Sequence, residues 1–382
     1  MNRALAIMMA ALLLLAPQPA TAEWSGAKAA RVDALIAQFL RPRDGAVVPP
    51  GLSLAVGVDG TLRMAKGFGE ARDGTPASAG TVYHIGSLTK QFTAAAVLQA
   101  IAAGARAPLS GEPLSLDTPM RDVFEGVEQW STSEVPPVTV RSLLTMTSNL
   151  PNFTKHPPRE VDPWGAVTTP KLMAALKRLP PHGWPNTFEY SNTGYFLLAR
   201  VIEAAQPPRD GERLSVRAYV QTNILQRIGL PHTAFVGDGP DDADTAAPHY
   251  RRKPAFTQPH WLDGSGDMAS NVLDLFQWNR ALIEGRVLDA AATRAMFSDG
   301  ARVDPLTYYG MGWFITHDES RDTYFHSGSV PGYTSYSAIE RSTGDGHWTT
   351  VILLTNSDGV TGLERLADEI LYVVRSDTAA DR

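Results

Sequence analysis

The stretch Tyr83-His84-Ile85-Gly86-Ser87-Leu88-Thr89-Lys90-Gln91-Phe92 sets a hydroxyl and an amine three residues apart. An alanine-rich run, Phe92 to Ala103, follows with good helix propensity, which places Ser87 near the first turn of a helix. Residues at that spacing share a helical face. A hydroxyl beside an amine there is a candidate activated nucleophile. The amine can take or relay the proton, and the positive end of the helix dipole favours the developing negative charge. The spacing alone is not diagnostic, since Ser25-Gly26-Ala27-Lys28 repeats it with no evident role.

Two downstream segments carry further polar chemistry. Tyr190-Ser191-Asn192 stands immediately before an apolar helix predicted over Gly194 to Ala205. Its phenol can face a cleft and its amide can hold a substrate carbonyl; a buried tyrosine with an asparagine helix cap is the alternative. His326-Ser327-Gly328-Ser329 closes a predicted strand and leads into Val330-Pro331-Gly332-Tyr333. A strand glycine marks close approach of a ligand or backbone. The histidine reads equally as structural, and His84-Ile85-Gly86 spells the same H-x-G.

The elements that must position these residues change character along the chain. Ala27 to Phe39 reads as a surface helix. Leu52 to Val58 and Thr61 to Phe68 read as strands joined at Asp59-Gly60, a hairpin signal. Gly104 to Pro119, rich in Gly, Pro and Ser, breaks the pattern. Val140 to Phe297 is mostly helical, with apolar stripes at Leu172, Ala175, Leu176 and Leu179, and at Val272, Leu275, Phe276, Asn279 and Leu282. Val236 to His260 is a loop whose Asp238, Asp241, Asp242 and Asp244 fit no EF-hand spacing. Met311 to Thr316, Thr323 to Ser327, Thr334 to Glu340 and Trp348 to Asn356 follow period two as antiparallel strands. Leu363, Leu366, Ile370 and Val374 give a closing helix. The expectation is an α+β fold: residues 23–86 and 300–382 build one antiparallel sheet flanked by helices, and 87–299 form an inserted, mostly helical lobe.

At 382 residues, with 43% apolar and 19% charged residues, the chain can bury a sizeable core. Its net charge of −6 has no basic stripe, which argues against nucleic acid and anionic membrane partners. Met1 to Ala22 reads as a signal peptide: Arg3, the apolar Ala4 to Leu15, then Ala20-Thr21-Ala22 as the cleavage site. The run is short for a membrane span, so a periplasmic or secreted chain without a stable anchor is expected. There is no cysteine, hence no disulfide and no thiol nucleophile. No H-E-x-x-H or clustered His/Asp run suggests a metal, and Gly67-Phe68-Gly69 does not continue into a dinucleotide fingerprint. No cofactor is expected. A G-x-S-x-G elbow is missing too; Gly51-Leu52-Ser53-Leu54-Ala55 is the nearest approach.

Taken in order, S-x-x-K at Ser87, Y-x-N at Tyr190 and H-x-G at His326 resemble the penicillin-recognising serine hydrolases: class C β-lactamases, D-alanyl-D-alanine carboxypeptidases and related esterases. Val140 to Ser148, Tyr309-Gly310-Met311-Gly312-Trp313, Gly332-Tyr333-Thr334-Ser335 and Val351 to Ser357 look like the same family, and the similarity spans about Lys28 to Val374. The resemblance implies a β-lactamase/transpeptidase-like fold with Ser87 as acylated nucleophile. Lys90 and Tyr190 would share the general-base work, and Asn192 would orient the substrate amide. His326, Ser327 and Gly328 would form the edge strand beneath the substrate. The backbone N–H groups of Ser87 and Ser329 would form the oxyanion hole.

The resemblance departs at three places. His326 stands where β-lactamases carry lysine, and a neutral imidazole anchors a carboxylate less firmly than an ammonium. Met146 and Asn149 interrupt a segment where relatives read H-T-S-G-L, and Ser191 replaces an alanine. What it implies is an exported hydrolase of a small-molecule or peptide ester or amide, D-amino-acid peptides included. The alternatives are a β-lactamase with fast deacylation and a non-catalytic module that binds cell-wall peptide.

Overall fold

The computed structural model describes residues 24, 26–133, 136–159, 161, 167–184, 186–207, 213–239, 244–251 and 262–376. The expected signal peptide, Met1 to Ala22, lies outside them, as do Ser25, Asp241 and Asp242.

Helix α1 (Gly26–Phe39) leads to strands β1 (Gly51–Val58) and β2 (Thr61–Arg72). Asp59 and Gly60 join these two at φ 48° and 75°. Two central residues at positive φ are what a type I′ hairpin requires, and Asp-Gly adopts it readily. The Asp59 carboxylate also accepts from the Trp348 amide at 2.9 Å, tying this hairpin to the far end of the chain. Then come β3 (Thr75–Pro76), β4 (Tyr83–His84) and α2 (Thr89–Ala102). Short helices α3 (Val140–Leu144) and α4 (Thr169–Leu176) precede α5 (Asn192–Ala205), α6 (Val216–Val220) and α7 (Gln226–Ile228).

The mostly helical middle contains two strands that period alone did not show, β5 (Ala234–Phe235) and β6 (Met268–Ser270). They join β4 in a small sheet ordered β4-β6-β5. Helices α8 (Val272–Ile283) and α9 (Ala290–Met296) close this region. The chain then returns through β7 (Ala301–Arg302), β8 (Thr307–Tyr309), β9 (Phe314–His317), β10 (Arg321–Val330), β11 (Tyr333–Ser342) and β12 (Trp348–Thr355) to α10 (Leu363–Arg375). The strand expected from Met311 starts only at Phe314, because Gly312 turns at φ 87° and Tyr309 to Trp313 form a bend.

The nine-stranded sheet runs β3-β2-β1-β12-β11-β10-β9-β8-β7, so strands from both ends of the chain meet at the β1–β12 seam. Their central strands are buried on both faces, which explains the continuous apolar runs Leu52 to Val56 and Val351 to Leu354. One face is covered by α1 and α10, where Leu366, Ile370 and Leu371 pack on Leu52, Leu54 and Leu353. The other face carries the larger core, including α2, α5 and α8. Asn279, the polar member of the α8 stripe, is buried and donates to Ser337 Oγ (3.0 Å) and Thr350 Oγ1 (2.7 Å) on the sheet.

Truncating a side chain with no exposed surface at the α10–sheet contact removes burial and leaves a cavity. Ile370→Ala is expected to lower unfolding free energy by about 2–5 kcal/mol, read from urea denaturation.

Candidate active site

The site is organised by α2, which is buried on nearly every face from Thr89 to Leu98. Ser87 lies just before it, in a single 3-10 turn, Gly86–Leu88, rather than in the α-helix itself. Gly86 makes this turn at φ 52°. A Cβ there would sit 2.9 Å from the Ser329 amide nitrogen, and one on Gly328 would sit 2.1 Å from the Ile85 carbonyl oxygen. Only glycine at both points lets the two backbones approach so closely. Ser335 Oγ donates to the same Ile85 carbonyl at 2.8 Å and fixes the contact. The Ser329 amide is thereby brought beside the turn that carries Ser87.

Lys90 has no exposed surface. Its Nζ lies 3.1 Å from Ser87 Oγ, 2.7 Å from Asn192 Oδ1 and 2.6 Å from the Ser265 carbonyl. Burial drives its pKa well below the usual lysine range, and the Asp267 carboxylate acts in the opposite direction. The three neighbours define what the neutral amine can do. The Ser265 carbonyl only accepts, and Asn192 presents its oxygen. Those two therefore take both N–H bonds and leave the lone pair toward the Ser87 hydroxyl.

Asn192 is the first residue of α5 and is not a side-chain cap. Asn152 Oδ1 accepts from the Asn192 backbone N–H at 3.3 Å, while Asn152 Nδ2 donates to the Tyr190 carbonyl at 3.2 Å. Thr154 Oγ1 donates to Asn152 Oδ1 (2.8 Å) and accepts from Asn192 Nδ2 (3.0 Å). Since a backbone carbonyl accepts only, this chain determines which way each amide faces and turns Asn192 Oδ1 toward Lys90. Tyr190 follows a segment held by Met146, whose carbonyl accepts from the Glu189 amide at 2.9 Å. Met146 does so at φ 59°, an uncommon conformation for a bulky side chain. The Lys90 Nζ stands 5.0 Å from the Tyr190 ring centre. Burial pushes the Tyr190 phenol upward, opposed by the adjoining Ser87 hydroxyl.

Strand β10 extends beyond the expected Ser327 to Val330. Its pairing with β9 ends at Phe325, so His326 to Val330 is an edge on that side, and the Ile85–Gly86 backbone lies against it. Ser327 and Ser329 are exposed, but the His326 side chain is withdrawn into the core. Its Nδ1 meets the Ser327 carbonyl at 2.6 Å and its Nε2 meets the Tyr309 hydroxyl at 3.2 Å. A carbonyl only accepts, so Nδ1 carries the proton and Tyr309 donates to Nε2. Burial and the nearby Lys90 push the imidazole down to about 3. The imidazole expected to face a substrate carboxylate is therefore neutral and turned inward. Phe314 and Tyr190 stack nearly parallel at 6.5 Å beside it.

All the residues singled out from sequence converge here: Ser87, Lys90, Tyr190 and Asn192 from the helical side, His326 to Ser329 from the sheet. Sequence reasoning missed Ser265, Asn152, Thr154 and Tyr309. Tyr309 stood in a segment already noted, and an Asn two residues from a Thr before Y-x-N was a usable signal. A carbonyl acceptor such as Ser265 leaves none.

This is the β-lactamase/transpeptidase fold, with a serine–lysine pair at the junction of sheet and helical region. The chain belongs to the β-lactamase family: the family described as "Beta-lactamase" matches residues 33–374. Several of its relatives are named as penicillin-binding proteins. Penicillin-binding protein 4 of Amycolatopsis lactamdurans is 26% identical over 334 residues, which cover 80% of this chain and 81% of that protein. The octameric penicillin-binding protein homologue from Pyrococcus abyssi superposes with a TM-score of 0.72 at 25% identity, over 91% of this chain and 77% of that one. The D-amino acid amidase of Ochrobactrum anthropi SV3, in complex with D-phenylalanine, has the same fold. Its TM-score is 0.71 at 21% identity, over 91% of this chain and 99% of that one.

A histidine buried neutral in the fold and free to protonate when unfolded favours the native state fully above the unfolded pKa. That contribution is lost as pH falls from about 6.5 toward the folded value of about 3. Thermal melts across this range are expected to fall more steeply for wild type than for His326→Gln. Thr154→Val, which unlocks the Asn192 amide, is expected to slow reaction at Ser87 about tenfold, read as the rate of covalent labelling.

Proposed function

We propose that this chain is an exported serine hydrolase that forms an acyl-enzyme on Ser87 with ester or amide substrates, D-amino-acid peptides among them. The observation that carries this reading is the Lys90 amine, whose two N–H bonds are occupied by Asn192 and Ser265 and whose remaining direction is Ser87 Oγ at 3.1 Å. Neutral Lys90 takes the Ser87 proton as Oγ attacks the substrate carbonyl carbon. The carbonyl oxygen collects negative charge and is held by the backbone N–H groups of Ser87 and Ser329; losing one such donor typically costs about 3 kcal/mol. Tyr190, whose phenol keeps its proton, relays one from Lys90 to the leaving oxygen or nitrogen as the carbonyl re-forms. Water then adds to the acyl carbon, gives its proton back through the same pair, and releases Ser87.

The substrate class rests on charge. His326 is neutral and enclosed, so it contributes through the strand backbone and offers no cation to a substrate carboxylate. That favours neutral esters and amides over β-lactams. A relative named for binding penicillin and a structural neighbour named as a D-amino acid amidase support the acyl-transfer chemistry. The signal pattern at Met1 to Ala22 supports export. A β-lactamase differs in fast deacylation, and nitrocefin separates the two: sustained turnover favours the lactamase, a slow stoichiometric burst the esterase or amidase.

A fluorophosphonate is expected to leave one adduct, on Ser87, by intact-mass and peptide mass spectrometry. Absence of that adduct in folded protein overturns the reading and leaves a binding module. Lys90→Ala is expected to cut labelling about a thousandfold with a melting profile near wild type. Because burial lowers the Lys90 pKa, labelling should rise with pH through a range well below the ordinary 10.5 and plateau once the amine is neutral.

A further inference from the structure

Strand β9 begins at Phe314, opposite Phe325 of β10. Phe314 therefore stands where the paired part of β10 stops and its uncovered edge, His326 to Val330, starts. Centre to centre, its ring is 4.8 Å from Tyr309, 5.3 Å from the His326 imidazole and 5.5 Å from Phe325. Phe188 and Tyr190 follow at 6.1 Å and 6.5 Å. Tyr309 and His326 are enclosed, but Phe314, Phe188, Tyr190 and Phe325 each keep part of their surface open. A contiguous apolar patch of this kind marks a binding groove in a way that scattered exposed side chains do not. The wall brings no charge of its own, because burial keeps the Tyr190 and Tyr309 phenols and the His326 imidazole neutral.

The direction of the reaction decides which part of a substrate reaches these rings. The carbonyl oxygen is held at the Ser329 amide, and Ser329 lies four residues along the strand from Phe325, a rise of about 13 Å. Tyr190, itself a member of the wall, gives the proton to the departing oxygen or nitrogen. The group that leaves therefore lies on the Tyr190 side of the acyl carbon and runs toward Phe314. We propose that Phe314 and Phe188 form the leaving-group subsite, and that it takes an uncharged apolar or aromatic alcohol or amine portion in preference to one that ends in a carboxylate. The proposal rests on acylation of Ser87 with Tyr190 as proton donor, and adds to it the class of group that departs. An aromatic leaving group gains edge and stacking contacts with the rings. A carboxylate there would shed water against hydrocarbon, with no cation from the wall to replace it.

The test compares phenethyl acetate, ethyl acetate and 3-acetoxypropanoate on the purified full chain. All three place the same acetyl group on Ser87 and release primary alcohols of similar acidity, so ratios of kcat/KM compare the departing groups alone. Wild type is expected to use phenethyl acetate roughly tenfold or more better than ethyl acetate, and 3-acetoxypropanoate less well than either. Phe314→Ala should lower the phenethyl-to-ethyl ratio about 3- to 10-fold, while Phe314→Leu, which keeps apolar bulk, should preserve most of it. Phe188→Ala should lower the ratio by less, and carries the test if Phe314→Ala does not fold. Trp184→Ala removes an 81% exposed ring from the same loop as Phe188 and should leave the ratio unchanged. Equal use of the three esters by a protein that labels at Ser87 overturns the subsite, as does preference for 3-acetoxypropanoate. So does a ratio unmoved by both alanine variants in the wall, or moved as far by Trp184→Ala. A protein that neither labels at Ser87 nor hydrolyses any of the esters refutes the proposed function instead.

Discussion

A primary amine stripped of water is the constraint on which the rest of the site depends. Lys90 has no exposed surface, and each of its N–H bonds left without an acceptor would cost about 1–3 kcal/mol. The acceptors come from distant parts of the chain, Asn192 and Ser265, so α2, the start of α5 and the loop before β6 must pack together before the amine is tolerable. This accounts for the character of α2. An amphipathic surface helix shows one apolar stripe, whereas α2 is enclosed all round and fills its crowded faces with alanines. The polar residues it does carry, Thr89, Lys90, Gln91 and Thr93, are buried, and three of them bond the neighbouring loop or the Ser87 turn.

The second requirement is that helical region and sheet meet at the right point. Gly86 and Gly328 supply it by letting two main chains approach closer than any Cβ allows. Gly312 performs a related service at the bend before β9, where a Cβ would come within 3.1 Å of the Lys90 carbonyl. The Ser87 turn and the strand edge are therefore set by backbone contacts, and the hydroxyl of Ser87 is carried by a turn that lies against the sheet. A rigid arrangement of this kind suits chemistry in which the donor and acceptor directions must already be in place when charge develops.

Much of this was legible in the sequence. Strands β10 and β11 declared themselves by period two, β1 and β12 by apolar runs buried on both faces, the first hairpin by Asp59-Gly60, and α10 by its stripe, because each of these is a local pattern. The order of Ser87, Tyr190 and His326 pointed to a single site. The hidden parts share a physical reason. Ser265 acts through a carbonyl, which every residue has; Asp267 and Arg217 pair across 50 residues of sequence; and β5 and β6 are too short for a period to show. His326 was legible as a residue of interest but not as an inward-facing one. That orientation depends on Tyr309 donating to its Nε2 from another strand.

The departure from the family pattern at His326 acts through charge. An ammonium in place of the His326 imidazole would stand in the same enclosed region as Lys90, and the two like charges would oppose each other's protonation. The neutral imidazole removes that repulsion, as the influence of Lys90 on His326 itself shows. Lys90 is then left between two opposing influences, its own burial and the Asp267 carboxylate. Loss of the second cation also changes the surroundings of the strand edge. Phe188, Tyr190 and Phe314 gather around Tyr309 and His326, and each of the three is only partly buried. A wall of partly exposed rings beside an uncharged imidazole presents apolar surface and carries no charge of its own. An uncharged His326 therefore spares Lys90 a competing charge and leaves aromatic rings as the surface around it.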